Sequence, residues 1–404
     1  MMPDNRVPNY AGAYQPTVII KPFKGRLVLK WVLSLFAALI ACLLGLLVLL
    51  MIASETGLAA LLAAMLVATL PVPLYIILIL WIDRYEAEPL WMLAIAFFWG
   101  ATIAVFIAYL INTLGGVFVA VLTGSRAIAN LYGAVISAPI VEETAKALVL
   151  FLLFFWKKDE FDGVVDGFVY AGMVGLGFAM TENFQYYGGV IAKARGIHNE
   201  DFHQIYFLRG MLAPYSHPLF TSMTGIGLGA ARQSKHIAWK IILPLAGFLL
   251  AMFLHFLWNF LAVVSGATAR NEEEAFWNFI KIYIIVMVPI FCVVMSLILF
   301  AVRREGRIVR EHLLCDFERG LLTQEEYNRL CSVRGRVGSS MRALTRGGIS
   351  RWRTRMRFNQ MASELAFHRS RVARGLRGGQ QFDAEREAAY IRTLQELRQR
   401  LGQL

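Results

Sequence analysis

The chain has few charged residues and few cysteines. Asp, Glu, Lys and Arg make up only 17% of its 404 residues and hydrophobic residues make up 57%, which excludes an ordinary soluble domain. The four cysteines form no Cys-x-x-Cys pair, so neither a structural zinc site nor a disulfide scaffold is indicated. His-Glu-x-x-His, Gly-x-Ser-x-Gly and Walker sequences are also absent, which argues against zincin, serine-hydrolase and P-loop sites.

Long apolar runs take up most of the chain instead. A membrane-spanning helix needs about 20 apolar residues to cross a hydrocarbon core of roughly 30 Å. The runs that meet this requirement are Leu27–Ile52, Leu58–Ile82, Leu90–Asn112, Ala134–Trp156, Gly163–Tyr187, Gly210–Ala231, Ile237–Val264 and Phe276–Val302. We expect Thr113-Leu114-Gly115-Gly116 to end the third helix. The predicted fold is an all-α, polytopic integral membrane helix bundle with about eight transmembrane helices.

Basic residues predict the orientation of this bundle, because Lys and Arg are concentrated in cytoplasmic loops. They precede span one, separate spans four and five and spans six and seven, and follow span eight, whereas Glu272-Glu273-Glu274 lies on the opposite side. We expect a multi-pass protein of a bacterial inner or plasma membrane with both termini in the cytoplasm. The predicted parts are a disordered N-terminus (1–26), a transmembrane core (27–302) and a helical cytoplasmic tail (303–404).

Polar side chains occur inside four predicted spans, although an ionisable group there costs about 2.5–3.5 kcal/mol on insertion scales. They are Glu142, Glu143 and Lys146 in span four, Glu182 and Asn183 in span five, His217 in span six, and His255 and Asn259 in span seven. Counting along helices of alternating direction brings one group from each span to a similar depth, nearer the extracytoplasmic face. Lys146 and Asp166 are predicted to lie deeper.

Each of these signals has a simpler explanation when taken alone. Glu142 and Lys146 are four residues apart and could form a single intrahelical ion pair. A histidine or an asparagine in a membrane helix often joins two helices by a hydrogen bond, and the small residues from Gly163 to Ala179 at four-residue spacing indicate close packing. The convergence of four helices at one depth favours a shared active site over these separate explanations.

Paired carboxylates with histidines suit hydrolysis. A glutamate in a low-dielectric site can serve as a general base toward water, so Glu142 or Glu143 is the predicted base. Histidines and glutamates can also hold zinc, which lowers the pKa of a bound water to about 7 and polarises a carbonyl. An asparagine, or a histidine without metal, can stabilise an oxyanion. Ser137 and Ser222 lie near the site, and packing hydroxyls are the favoured interpretation for both.

Four ordered motifs resemble those of the PrsW intramembrane proteases, over about residues 70–300. They are Glu142-Glu143-Thr144-Ala145-Lys146, Phe178-Ala179-Met180-Thr181-Glu182-Asn183, His217-Pro218-Leu219-Phe220-Thr221 and His255-Phe256-Leu257-Trp258-Asn259, with Asp83-Arg84-Tyr85-Glu86-Ala87-Glu88-Pro89 before span three. The resemblance implies a relationship to the CAAX prenyl endopeptidases, which usually have His at the position of Glu182. It also implies cleavage of a membrane-anchored protein, such as an anti-sigma factor, on the extracytoplasmic side.

The predicted function is therefore intramembrane hydrolysis of a peptide bond, with or without a metal ion. The predicted catalytic residues are Glu142, Glu143, His255 and Asn259, and the predicted metal ligands are Glu182, His217 and His255, with zinc as the candidate ion. An ion- or proton-coupled transporter is the alternative, because buried acids and histidines also mark proton pathways. A scaffold that recruits partners through its tail is a third hypothesis.

The C-terminal tail differs in composition from the core. Residues 303–404 contain 22 arginines, no lysine and 11 acidic residues, so they carry +11 of the net charge of +12. A capping box from Thr323 to Glu326 predicts a helix start after Gly320, and further helices are predicted at Asn359–Leu376 and Asp383–Leu401. Contact with anionic lipid is the favoured role for the arginines. Nucleic-acid binding is disfavoured because no aromatic platform accompanies them.

Overall fold

The computed structural model describes residues 24–158, 160–194, 196–375 and 379–403, and these residues form helices and no β-strand. Residues 1–23 of the predicted disordered N-terminus lie outside the described part. The helices up to the last predicted span are α1 (Lys24–Thr56), α2 (Leu58–Thr69), α3 (Val72–Ile82), α4 (Leu90–Phe98), α5 (Val105–Thr123), α6 (Arg126–Tyr132), α7 (Ala138–Trp156), α8 (Val164–Ala194), α9 (Glu200–Tyr206), α10 (Ser216–Gln233), α11 (Ile237–Ala267), α12 (Glu272–Ile282) and α13 (Val288–Glu318). Wider π-helical turns join several of them, at Trp99–Ala104, Gly133–Ser137, Phe207–Leu212 and Tyr283–Met287.

Six helical segments of the described chain are long and apolar enough to cross a membrane, which confirms an all-α polytopic membrane fold. They are Ser34–Thr56, Leu58–Ile82, Leu90–Thr123, Val164–Ala194, Ile237–Ala267 and Glu272–Glu318. The two other predicted spans correspond to α7 and α10, which are shorter and carry the polar motifs around Glu142 and His217. The total of eight crossings stays a prediction.

The expected end of the third helix at Thr113–Gly116 is wrong. The helix continues through both glycines to Thr123, and it ends at Gly124, which has the left-handed φ of 66°. Glycine interrupts a helix less readily in an apolar environment, because no water is present to take over the backbone hydrogen bonds. The segment from Leu90 to Thr123 is 34 residues long, well beyond the length needed for one crossing.

Helix α8 is the centre of the bundle, and it packs against α10 through glycines on both helices. A Cβ atom added to Gly167 would lie 2.0 Å from the backbone oxygen of Gly225, and one added to Gly175 would lie 2.6 Å from the backbone nitrogen of Pro218. The small-residue spacing of span five therefore predicted a real helix contact. Because Gly175 meets the start of α10, this close packing also positions His217.

Gly167→Ala is expected to destabilise the protein by about 1–3 kcal/mol, because the new methyl group overlaps the α10 backbone. Thermal unfolding of the purified protein in detergent measures this loss. Gly189→Ala is the matched control in the same helix, since its Cβ atom would meet nothing within 4 Å. Equal unfolding temperatures for the two variants would contradict a tight α8–α10 crossing.

The tail is helical, and its helices are α14 (Gln324–Leu330), α15 (Val333–Ala373), which is interrupted at Gly348, and α16 (Gln380–Gln403). The predicted capping box of Thr323 and Glu326 is present at the start of α14. α15 begins at Val333 and α16 at Gln380, before the predicted starts at Asn359 and Asp383. The basic stretch 334–357 is therefore also helical.

The tail packs against the loop between α3 and α4. The buried guanidinium of Arg336 donates to the backbone oxygen of Tyr85 at 3.2 Å and to that of Asn359. Arg371 forms an ion pair with Asp162, in the segment that follows α7. Apolar residues of the tail and of the membrane-embedded part share one continuous buried cluster.

Candidate active site

Glu143 is the fully buried centre of the polar cluster. Its Oε1 atom lies 2.8 Å from Lys146 Nζ and 3.1 Å from His255 Nδ1. Its Oε2 atom accepts a hydrogen bond from Thr221 Oγ1 at 2.9 Å. Partners from α7, α10 and α11 thus hold both oxygens of this carboxylate, so Glu143 is an anchoring group with little remaining capacity to bind water.

Glu142 is the less engaged of the two carboxylates. Its Oε2 atom lies 3.5 Å from Lys146 Nζ and 3.9 Å from His255 Nε2, and 9% of its side chain is exposed. Glu143 has no exposed side-chain surface. Of the two adjacent glutamates, Glu142 is therefore the one with room for a water molecule.

Lys146 belongs to the site, and its predicted deeper position is wrong for the ammonium group. Besides both glutamates, Lys146 Nζ contacts His217 Nδ1 at 3.0 Å and lies 3.8 Å from the centre of the Phe178 ring. Side chains of a helix point toward its N-terminus, and α7 was predicted to start outside, so the long lysine reaches outward by about a turn. Its charge is balanced by the glutamates and by the aromatic face.

Through Lys146, His217 links the glutamate pair to a third carboxylate. Its Nε2 atom lies 2.8 Å from Glu182 Oε2, while Lys146 occupies the Nδ1 side. An ammonium group can only donate, so Nδ1 accepts and Nε2 carries the proton that Glu182 accepts. The lysine and the glutamate together select this tautomer of His217.

Arg209 holds Glu182, and sequence reasoning did not identify it. Its guanidinium pairs with the Glu182 carboxylate and donates to Asn183 Oδ1 at 2.7 Å, and it lies over the ring of Tyr186. Arg209 comes from the π-helical segment Phe207–Leu212, just before α10. The only sequence signal was a mixture of both charge signs in loop 188–209.

Arg209→Gln is expected to lower the rate of the reaction at this site by about 10- to 100-fold, because Glu182 and then His217 lose their fixed orientation. Arg209→Lys keeps the positive charge, but an ammonium group cannot reproduce the planar guanidinium that contacts Glu182 and Asn183 together. This variant should therefore retain only part of the rate. Initial rates of the purified variants measure this effect. Gln204→Glu, in α9 and outside these contacts, serves as a control. Full activity of Arg209→Gln would contradict the positioning role.

Asn259 makes a different contact from the one expected of an oxyanion group. Its Nδ2 atom donates to the backbone oxygen of Ala134 at 2.7 Å, in the π-helical segment Gly133–Ser137 that precedes α7. Asn259 thus ties α11 to the helix that carries both glutamates. Its part in catalysis stays a prediction. Ser137 donates to Asn112, and Ser222 donates to the backbone of Leu219, as packing hydroxyls do.

Three buried side chains are spaced as metal ligands. Glu142, His217 and His255 each offer one ligand atom, and these atoms lie within 4.8 Å of one another. A carboxylate and two imidazoles suit zinc. The set differs from the predicted one, because Glu142 stands where Glu182 was expected and Glu182 pairs with Arg209. The residues fit a divalent cation provided that His217 gives up one of its two present contacts.

Aromatic rings enclose this polar centre. The His217 and His255 rings are perpendicular, with centroids 5.1 Å apart, and Phe220 stacks on His255 at 5.2 Å. Phe178 lies 5.3 Å from His217 on another side. These rings limit water around the charged groups, and a low-dielectric enclosure strengthens their electrostatic interactions.

The fold and the site together define a multi-pass membrane protein whose buried glutamates, histidines and lysine have the composition of a hydrolytic centre. The chain belongs to the PrsW family: residues 88–294, half of the chain, match the family described as PrsW family intramembrane metalloprotease. It is thus an intramembrane peptidase. The tail lies outside the matched region.

Curated relatives agree with this assignment. The chain is 32% identical to Protease PrsW of Geobacillus kaustophilus over 186 residues, which is 44% of this chain and 70% of the relative. It is 30% identical to Protease PrsW of Oceanobacillus iheyensis over 43% of this chain and 71% of the relative, and 29% identical to that of Bacillus subtilis over 40% and 68%. No solved structure matches the chain.

Proposed function

We propose that this protease cleaves a membrane-anchored protein at a peptide bond near the extracytoplasmic face, and that Glu142 is the general base. The carrying observation is the difference between the two carboxylates, since Lys146, His255 and Thr221 contact both oxygens of Glu143, which has no exposed surface, while 9% of the Glu142 side chain is exposed. Initiation of anti-sigma-factor release is the proposed physiological role, and it rests on the likeness to the PrsW family. A bacterial cell membrane with both termini in the cytoplasm is the proposed location.

Each polar residue of the site has a proposed role in the reaction. Glu142 takes the proton of the attacking water and later donates it to the leaving amine. Glu143 holds His255 and Lys146, whose positive or donor groups stabilise the negative charge that develops on the carbonyl oxygen. Arg209 and Glu182 fix His217 from the other side. Alternatively, Glu142, His217 and His255 would together hold a zinc ion, which when bound polarises the carbonyl and acidifies water, and Glu142 would then serve as a ligand instead of as the base.

The most direct test compares new protein N-termini in membranes from cells that express either the native chain or the Glu142→Gln/Glu143→Gln variant. Fragments that begin near the outer end of a single-span protein should disappear in the variant, which would identify the substrate. Identical fragment sets, with both proteins folded and equally abundant, would sink the proposed function.

Zinc is expected to bind the Lys146→Met variant at least about tenfold more tightly than the native chain, a difference of about 1.4 kcal/mol. The reason is that the native ammonium lies 3.0 Å from His217 Nδ1 and 3.5 Å from Glu142, where it repels a second cation. Calorimetric titration of the purified proteins measures both affinities. His255→Ala/Lys146→Met is the control that should lose the gain, and equal affinities of native chain and Lys146→Met would contradict direct competition.

The transporter alternative finds little support in the described helices. Asp166 lies away from the site, as predicted, where it accepts backbone hydrogen bonds from Asp162 and Gly163. Between Tyr170 and Thr181, α8 presents only apolar and small residues to its neighbours, and nearly all of them are buried. A proton pathway along this central helix would need polar groups in that stretch.

A further inference from the structure

A basic cleft lies where the last apolar helix meets the tail. It has a volume of about 580 Å³ and is formed by one face of α13 and the end of α15. Its lining residues are Phe300, Arg304, Arg307, Ile308, Glu311, His312, Ser370, Ala373 and Arg374. The α13 residues are spaced by about one turn, so they share a helical face, and small residues of α15 leave the space opposite them.

The three arginines of the cleft have no carboxylate among their described contacts. Arg304 donates to Gln233 Oε1 at 3.3 Å, Arg374 donates to its own helix at Ser370, and Arg307 lies over the ring of Phe300. Burial, followed by the positive charge of Arg304 and of Arg371, lowers the pKa of Arg374. The cleft therefore keeps a net positive charge, with three arginines and one carboxylate, that of Glu311, among its lining residues. Arg369, in contrast, pairs with two acidic residues.

The cleft lies at the border between apolar and charged surface. Leu297 and Phe300 are 60% and 61% exposed on the outside of α13, as side chains in contact with lipid tails are. The run of charged residues begins immediately afterwards, at Arg303. A ligand in the cleft can thus place a charged group on the arginines and an apolar group against Phe300.

We propose that this cleft binds the headgroup phosphate of one anionic phospholipid. Guanidinium groups bind phosphate oxygens in a bidentate manner, and Arg304, Arg307 and Arg374 approach the cleft from two helices. Anionic lipids concentrate in the cytoplasmic leaflet, on the side assigned to the tail. The bound lipid would join α13 to α15 and so fasten the tail to the membrane surface. This site is separate from the protease centre, and its existence does not depend on which substrate is cleaved.

Native mass spectrometry of the purified full chain in neutral detergent tests the proposal. One phosphatidylglycerol molecule should bind more tightly than any later one, and Arg304→Gln/Arg307→Gln/Arg374→Gln should weaken that first binding at least about tenfold. Arg342→Gln/Arg346→Gln/Arg353→Gln is the matched control, because it removes the same charge from exposed positions elsewhere on α15 and should leave the first binding unchanged.

Several results would overturn the proposal. Equal weakening by both triple variants would show diffuse attraction to the basic tail, and equally tight binding of phosphatidylcholine would show that the negative charge is irrelevant. Displacement of the lipid by an equal concentration of inorganic phosphate would identify a free anion as the ligand. If the triple variant is misfolded by circular dichroism, the exposed single variant Arg307→Gln should still weaken binding several-fold, and native-like binding would overturn the site.

Discussion

Glu142→Gln is expected to slow peptide-bond hydrolysis by about a thousandfold, since a positioned general base contributes about 10²–10⁴. Glutamine keeps the shape of the side chain and its distance from Lys146, but it cannot take a proton from water. The fold should be unaffected, because Glu143 retains its contacts with Lys146, His255 and Thr221. Purified enzyme in lipid vesicles, with the substrate identified from its new N-terminus, allows the rate to be measured directly.

Thr144→Val is the matched control for this change. Thr144 follows the glutamates on α7, but its side chain is exposed and bonds only to the backbone of Ile140. The Thr144→Val variant should cleave at the native rate. If Glu142→Gln retained more than a tenth of native activity while Glu143→Gln lost it, the assignment of the two glutamates would have to be exchanged.

Glu143→Leu is expected to cost about 3–5 kcal/mol of stability, because it leaves the ammonium of Lys146 buried without its nearest carboxylate. The side chains of Glu143 and Lys146 have no exposed surface, so water cannot replace the lost partner without a large cost in free energy. Replacing both members of a buried ion pair by apolar groups is often neutral. Glu143→Leu/Lys146→Met should therefore recover most of the loss, which denaturation in mixed detergent micelles can measure.

Lys157→Met controls for the loss of a lysine next to the same helix. Lys157 lies just beyond α7, is exposed, and contacts the Trp91 ring at 5.1 Å, so its replacement should change stability by less than about 1 kcal/mol. A double variant as unstable as Glu143→Leu alone would mean that His255 and Thr221, rather than the lysine, account for the anchoring of Glu143.

The convergence of four motifs could be predicted from sequence because membrane helices restrict geometry. A helix that crosses the bilayer rises by about 1.5 Å per residue in a known direction, so residue number translates into depth. This placed Glu142, His217 and His255 together, and in the structure their candidate ligand atoms lie within 4.8 Å of one another. The same reasoning positioned backbones and not side-chain ends, and for that reason it misplaced the ammonium of Lys146.

Contacts between loops and helices could not be predicted in this way. Arg209 and Glu182 are 27 residues apart. Arg209 lies in a π-helical connection between two helices, so the periodicity of a helix does not predict its contact with Glu182. The continuation of α5 past Gly115 and Gly116 has a similar cause, since glycine signals a break in water more strongly than in lipid. The membership of Glu142 in the candidate ligand group depended on side-chain rotation, which spacing along a helix does not determine.

The contact between Arg336 and the loop before α4 has a consequence for the biogenesis of the protein. The guanidinium reaches the backbone of Tyr85 across 251 residues of sequence. At a synthesis rate of about 5–20 residues per second, the loop waits roughly 10–50 s for this donor after it leaves the ribosome. The bundle can insert span by span during that time, yet one of its early loops is completed only by a tail segment that is translated much later. A chain released before Arg336 would therefore present buried carbonyls without their partner, a defect that quality-control proteases can recognise.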